Sequence, residues 1–218
     1  LPPEPHLRPR WMIRIGLFLY DHLSRRVSLP GSRGVRFTPA RYGAGLRPDL
    51  TRGFTYSDCA VDDARLVILT ARSAAEQGAT ILPRTRCVAG RREGVFWRVS
   101  LEDAVTGVRG EVACRALVNV AGPWVRTLLD EALALPAPGD VRLVKGSHII
   151  VPKVHSQGHA LILQNTDKRV VFVIPYESDF SLIGTTDIAV ESVEEAARIS
   201  PLEVDYLIAA VNRFLARP

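Results

Sequence analysis

The amino-acid sequence predicts a mixed α/β (α+β) fold in two parts, one with a β-meander inserted between a helix and an apolar strand, the other built on an antiparallel or mixed sheet. Three observations predict it. A helical pattern at 62–76 leads through short strand patterns to an apolar run at 116–120, which ends in Ala121-Gly122 before another helix. From 141 to 184 strand patterns follow one another with turns and no helices between them, the mark of antiparallel or mixed pairing. Between the two parts, 136–140 carries Pro and Gly and reads as a linker. The domains expected are therefore 1–60, a connecting segment with an N-terminal helix, then 61–136 and 137–218.

Residues 9–23 place Trp11, Ile15, Leu19 and Leu23 at near-helical spacing. The polar face of this segment is short and mixed, so it reads as a core-packed helix rather than one lying on a membrane. Residues 28–51 are rich in Gly, Pro and Arg and read as irregular connection. Asp62 and Asp63 open a helix that runs through Glu76, their carboxylates suiting its positive end, and Gly78 closes it. Strands are expected at 80–82, 84–90, 95–102 and 108–114, with Thr106-Gly107 as a turn. The run 116–120 is almost continuously apolar, as in a strand buried on both faces. Pro123 then opens a helix to about 134, at the position where its missing N–H costs nothing. Further strands are expected at 141–152, 160–163, 169–175 and 181–184, and a helix at 201–215.

The composition is that of an ordinary globular protein, with 218 residues, 47% hydrophobic and 23% charged. The longest apolar runs are strand-length, too short to span a bilayer. A net charge of +5, from 28 basic against 23 acidic residues, allows an anionic partner, but the basic runs lack aromatic interleaving and no nucleic-acid motif occurs. Nucleic acid is not an expected partner. Cys59, Cys87 and Cys114 are odd in number, which suits a reducing compartment and neither a disulfide framework nor a zinc site. The chain opens on Leu1 without a signal-peptide layout and closes within a helical pattern, so it is expected to be an interior piece of a longer protein.

Three short segments could carry chemistry. Ala121-Gly122-Pro123-Trp124 joins a strand pattern to a helix. A glycine there lets backbone approach a ligand, although the same residues serve equally to turn the chain. Lys145-Gly146-Ser147-His148 heads an apolar strand. His148 can exchange a proton near neutral pH and Lys145 can stabilise an anion; the bland alternative is a buried strand histidine beside a solvated lysine. Gly184-Thr185-Thr186-Asp187 reads more readily as a turn or helix cap than as a pocket wall. His155 and His159 lie in a Gly-containing loop without the helix that metal chelation at that spacing needs, so no metal site is expected. Cys59 has no adjacent His to make it a nucleophile. No Gly-x-Gly-x-x-Gly occurs, because Gly43-Ala44-Gly45 lacks both the third glycine and a preceding strand.

Several long runs resemble the respiratory, FAD-dependent glycerol-3-phosphate dehydrogenases. They include His6-Leu7-Arg8-Pro9, Trp11-Met12-Ile13-Arg14-Ile15-Gly16-Leu17-Phe18, Tyr20-Asp21-His22-Leu23, Ser28-Leu29-Pro30-Gly31-Ser32, Arg52-Gly53-Phe54 and Tyr56-Ser57-Asp58-Cys59. Val61-Asp62-Asp63-Ala64-Arg65-Leu66, Gly122-Pro123-Trp124, Lys145-Gly146-Ser147-His148-Ile149, Leu163-Gln164-Asn165, Val171-Phe172-Val173-Ile174-Pro175 and Gly184-Thr185-Thr186-Asp187 continue the likeness over nearly the whole chain. The resemblance implies part of a glutathione-reductase-like FAD-binding domain with an inserted β-meander at 61–136, and a substrate domain similar to that of D-amino acid oxidase at 137–218. It implies FAD as cofactor, glycerol 3-phosphate as substrate, dihydroxyacetone phosphate as product and quinone as electron acceptor. It also implies a cytoplasmic protein held peripherally on the inner membrane; a homodimer is left open. Carried over by position, Arg86 and Cys87 would lie near the FAD adenine, and Ala121, Gly122 and Trp124 near its phosphate-ribose side. His148 would face the flavin ring and the substrate as base for the C2 hydroxyl, with Lys145 beside it as charged support. The family's glycine fingerprint and an Arg-Tyr pair would precede this chain, and a Gly-x-Arg-Pro arginine would follow it. Residues 1–218 alone are therefore expected not to turn over. Two readings compete: an amine or 2-hydroxy-acid oxidase on the same fold, and a basic, non-catalytic interaction module.

Overall fold

The computed structural model describes residues 8–23, 25, 27–136 and 139–217. His6-Leu7 of the first matching run and part of the 136–140 linker lie outside the described residues. In chain order the elements are α1 (Arg10–His22), β1 (Arg33–Arg36), β2 (Arg52–Thr55), α2 (Asp63–Glu76), β3 (Thr85–Glu93), β4 (Phe96–Asp103) and β5 (Arg109–Cys114). A composite helix follows, made of a 3-10 turn Gly122–Trp124, one α-helical turn α3 (Val125–Thr127) and a π turn Leu128–Ala132. Then come β6 (Leu143–Lys145), β7 (His148–Pro152), β8 (Leu161–Gln164), β9 (Val170–Tyr176), β10 (Phe180–Gly184), β11 (Ile188–Val190), α4 (Val193–Ala196) and α5 (Pro201–Asn212). The chain divides into two compact units, one made mainly of 1–59, 144–190 and 194–218, the other mainly of 60–143.

The first unit is built on an antiparallel sheet in the order β7-β10-β9-β8. Its strands bury alternate residues: Leu161 and Leu163 of β8, Val171 and Val173 of β9, Ser181 and Ile183 of β10, the period of two that a half-buried sheet requires. The cluster on that face is completed by Leu207, Ala210, Val211 and Phe214, at helical spacing on and just beyond α5, and by Leu46 and Leu50. Val171, Val173 and Leu207 are fully buried, each such side chain contributing roughly 1.5–3 kcal/mol relative to exposure. Helix α5 begins with Ser200 as N-cap, Pro201 in its first turn and Glu203 closing a capping box.

The segment 28–51, expected to be irregular, contains β1, which pairs antiparallel with β2 from Arg33↔Thr55 to Arg36↔Arg52. Short strands rich in Arg and Gly carry no apolar alternation, so only pairing reveals them. The expected strand at 141–152 is broken into β6 and β7 at Gly146-Ser147. There the Ser147 N–H donates to Thr186 Oγ1 at 2.8 Å instead of to a neighbouring strand. Helix α1 forms where the periodicity placed it, but it buries no side chain: Trp11 is 63% and Leu19 59% exposed. Its expected core packing is absent because amphipathicity only offers a face, and no described element covers this one. Local bonds hold α1 instead, with Ser32 N–H and Oγ donating to Asp21 at 2.8 and 2.6 Å and Arg14 Nη1 donating to Ser32 Oγ at 3.0 Å.

The second unit is a three-stranded antiparallel meander in the order β3-β4-β5, with a bulge between Cys87 and Ala89. Leu133, at the end of the composite helix, packs where a Cβ on Gly90 of β3 would sit. Val99 and Leu133 are the buried hydrophobics of this unit among the described residues. Helix α2 has Asp62 as N-cap, its side chain accepting from Arg65 N–H at 2.9 Å, and Gly78 follows with φ +94°, as the acidic and glycine signals required. Residues 80–82 form no strand. Neither does the expected interior strand at 116–120, where Val118 is 76% and Val120 85% exposed. An interior strand exists through ladder bonds to neighbours on both sides, and no described strand supplies them here.

Candidate functional site

The Lys145-to-His148 turn and the Gly184-to-Thr186 turn meet on one buried carboxylate. Glu203 Oε2 lies 2.7 Å from Lys145 Nζ, with side chains 1% and 10% exposed respectively, and also accepts the Ser200 N–H at 2.8 Å. Its Oε1 accepts from Ser147 Oγ at 2.7 Å and Thr186 Oγ1 at 2.9 Å. Burial opposes ionisation of Glu203, but hydrogen bonds from Lys145, Ser147 and Ser200 outweigh it and hold the carboxyl well below the usual range. Lys145 also donates to the Arg198 carbonyl at 2.9 Å. The bland sequence alternative is thus inverted: the Lys145 side chain is only 10% exposed, and His148 is exposed.

His148 opens β7 and pairs with Gly184, the last residue of β10. The imidazole occupies the space where a Cβ on residue 184 would stand. A glycine is therefore needed for steric reasons, so that the ring can lie across the end of the sheet. Thr185-Thr186 is neither a simple turn nor a helix cap, because Thr186 Oγ1 accepts the Ser147 N–H and donates to Glu203, joining segments far apart in sequence. Sequence reasoning passed over Glu203. The Ser-x-x-Glu spacing of 200–203 signals a capping box, but nothing local announces its distant partners.

In the second unit, the Ala121-Gly122 turn is fixed by Asn119. Its Oδ1 accepts the Ala121 N–H at 3.1 Å and its Nδ2 donates to the Val125 carbonyl at 2.9 Å. Gly122 has φ +56°, a conformation that favours glycine, and nothing lies within 4 Å of where its Cβ would be. Trp124 is 52% exposed. Arg86 is exposed on β3 opposite Glu102, and Cys87 begins the bulge with its thiol donating to the Ala89 carbonyl. Burial pushes the Cys87 thiol up. A backbone corner free of side chain lets a ligand approach the main chain closely.

Two open concavities of about 300 and 330 Å³ lie along the meander, the first lined by Val88, Ala89, Ser100 and Arg109 to Glu111. They are grooves beside exposed strands, and neither includes the 121–124 turn. His155 and His159 stack at 4.9 Å, and His159 meets Tyr42 edge-on at 5.3 Å. Among the described residues no group of three or more His, Cys, Asp or Glu side chains is arranged for a metal, and no helix is long and apolar enough to cross a membrane.

Residues 8–218 match the DAO family, described as FAD dependent oxidoreductase. The chain is 52% identical over 214 residues to the aerobic glycerol-3-phosphate dehydrogenase of Escherichia coli K12, covering 97% of this chain and 42% of that protein. It is 51% identical over 214 residues to the D-erythritol 1-phosphate dehydrogenase of Brucella abortus, covering 98% of this chain and 43% of that one. The solved glycerol-3-phosphate dehydrogenase of Bacillus halodurans, complexed with FAD, superposes with a TM-score of 0.68 at 25% identity, over 84% of this chain and 39% of that one. The chain thus spans about two fifths of the length of the relatives it matches. It belongs to the DAO family of FAD-dependent oxidoreductases.

Proposed function

We propose that this chain is part of a dehydrogenase that oxidises glycerol 3-phosphate to dihydroxyacetone phosphate on FAD and passes the electrons to a quinone at the membrane. The observation that carries this reading is the 52% identity to the Escherichia coli glycerol-3-phosphate dehydrogenase across 97% of the chain. Residues 61–136 then contribute to a glutathione-reductase-like FAD-binding domain. Residues 137–218 contribute to a substrate domain like that of D-amino acid oxidase, and 1–60 connect to it.

Oxidation of a secondary alcohol removes a hydride from carbon and a proton from oxygen. FAD, when bound, supplies the acceptor for the hydride. The hydroxyl proton needs a base, and His148 is assigned that part because its imidazole is exposed, is seated by Gly184 and is the side-chain type suited to accept a proton. Lys145 supports it from behind, through Glu203, rather than by touching substrate. Gly122, Ala121 and Trp124 are assigned to the phosphate-ribose side of FAD, and Arg86 and Cys87 to its adenine side.

A second polyol phosphate competes, because the D-erythritol 1-phosphate dehydrogenase is almost as similar. The full-length protein, loaded with FAD and mixed anaerobically with each phosphate, separates the two by the rate at which the oxidised flavin absorbance bleaches. Faster bleaching by glycerol 3-phosphate is expected. Preference for erythritol 1-phosphate, an amine or a 2-hydroxy acid would overturn the substrate assignment. Wild-type turnover that survives His148→Asn would remove His148 as base.

A further inference from the structure

A carboxylate that only caps a helix needs one backbone donor, yet Glu203 takes four. The Ser200 N–H belongs to its own capping box. Lys145, Ser147 and Thr186 come from two distant turns, with Ser147 56 residues and Thr186 17 residues away in sequence. These donors fill the roughly four lone-pair sites of an ionised carboxylate, and bonds to a charged acceptor are shorter and stiffer than neutral ones. The Ser147–Thr186 bond closes the arrangement into a triangle.

Two of the three corners of that triangle adjoin one ring. Ser147 immediately precedes His148, and Thr186 follows Gly184 by two residues. His148 and Gly184 are themselves register partners at the end of the β7–β10 ladder, with the imidazole lying over the glycine. The backbone that carries the ring and the backbone on which it rests are therefore both tied to one buried carboxylate.

We infer that Glu203 is a positioning residue: through Ser147 and Thr186 it fixes the end of the β7–β10 ladder and thereby the placement of the His148 imidazole. The inference rests on the reading that His148 accepts the substrate proton, and its test separates the two. Ser147→Ala and Thr186→Val, each made in the full-length FAD-loaded protein, remove one hydroxyl each without removing the carboxylate, and Thr186→Ser restores a hydroxyl at the second position. Small displacements of a reacting group cost up to about a hundredfold in rate, so kcat per bound flavin is expected to fall about ten- to a hundredfold with KM little changed. The ring signals of His148 in histidine-labelled protein move with it, while the flavin spectrum stays as in wild type. Thr186→Ser recovers most of the kcat and the wild-type ring signals.

A purely structural role gives a different pattern, in which the melting temperature or flavin content drops while kcat per bound flavin and the His148 signals stay unchanged. That pattern overturns the inference. If Thr186→Val fails to fold, Ser147→Ala and Thr186→Ser carry the same comparison. If the wild-type protein oxidises neither polyol phosphate, the proposed function fails. The His148 signals alone then decide the inference, which stands if they move in Ser147→Ala and falls if they do not.

Discussion

Replacing Lys145 by Met tests whether the Lys145–Glu203 pair is a buried interaction. The substitution keeps an unbranched apolar stem and removes the ammonium that lies 2.7 Å from a carboxylate only 1% exposed. Breaking a buried pair from one side costs roughly 3–5 kcal/mol, because the remaining charge is left uncompensated. Three donors to Glu203 remain, from Ser147, Thr186 and Ser200, and they place the expected loss at the lower end, about 3 kcal/mol. Urea unfolding of the full-length protein measures it as a fall in midpoint with an unchanged slope. Glu203→Gln added to Lys145→Met removes the stranded charge and recovers part of the loss. The pH dependence has a defined sign. Glu203 has a folded-state pKa below its unfolded value, so in the wild type its stabilisation is full above the unfolded carboxylate range and is lost as pH falls through the folded value. Without Lys145 the folded-state pKa rises, so the gap between wild type and variant is constant near neutral pH and narrows only as the pH falls through the variant's folded-state value, below the unfolded carboxylate range. A loss under about 0.5 kcal/mol, the scale of an exposed pair, or a gap that does not change with pH, would refute the burial argument.

Gly122→Ala puts a Cβ on a residue with φ +56° but into open space, so its cost should be the backbone term alone, roughly 1–2 kcal/mol. If Gly122 borders FAD, flavin affinity falls by more than stability does, which comparison of melting temperature with flavin titration reads directly. Burial lowers the pKa of His155, with His159 and Lys153 adding repulsion, and burial lowers that of His159. Folded-state values below the unfolded one mean that stability is present above the unfolded pKa and lost as pH falls beneath it. The melting temperature should therefore drop between pH 7 and 5, and His155→Phe should flatten that drop.

Much of the fold could be read from local pattern, because its causes are local. The Asp62 cap and Gly78 stop bound α2, and alternation placed β4, β5, β8, β9 and β10 to within a few residues. The family resemblance was legible for a related reason: long runs of identical side chains identify a lineage without any knowledge of what they touch. The Lys145-to-His148 and Gly184-to-Asp187 segments both stood out in the sequence, as neighbours of nothing in particular.

What those segments do to one another was decided by tertiary structure. Periodicity reports which face of an element is apolar, but not whether anything covers it. Thus α1 and 116–120 were expected to be buried, yet most of their apolar residues stand exposed among the described elements. A hydrogen-bond triangle closed across 17 and 56 residues has no sequence period at all. Residue types and spacing by themselves placed most of the elements, and long runs of matching residues pointed to the family; His148 as base remains a proposal. Only packing β7 against β10, and α5 onto the same sheet, brought the Lys145 ammonium against the Glu203 carboxylate and left His148 exposed. The cause is energetic: a lysine can be buried where a carboxylate receives it, and Glu203 lies 58 residues along the chain from Lys145.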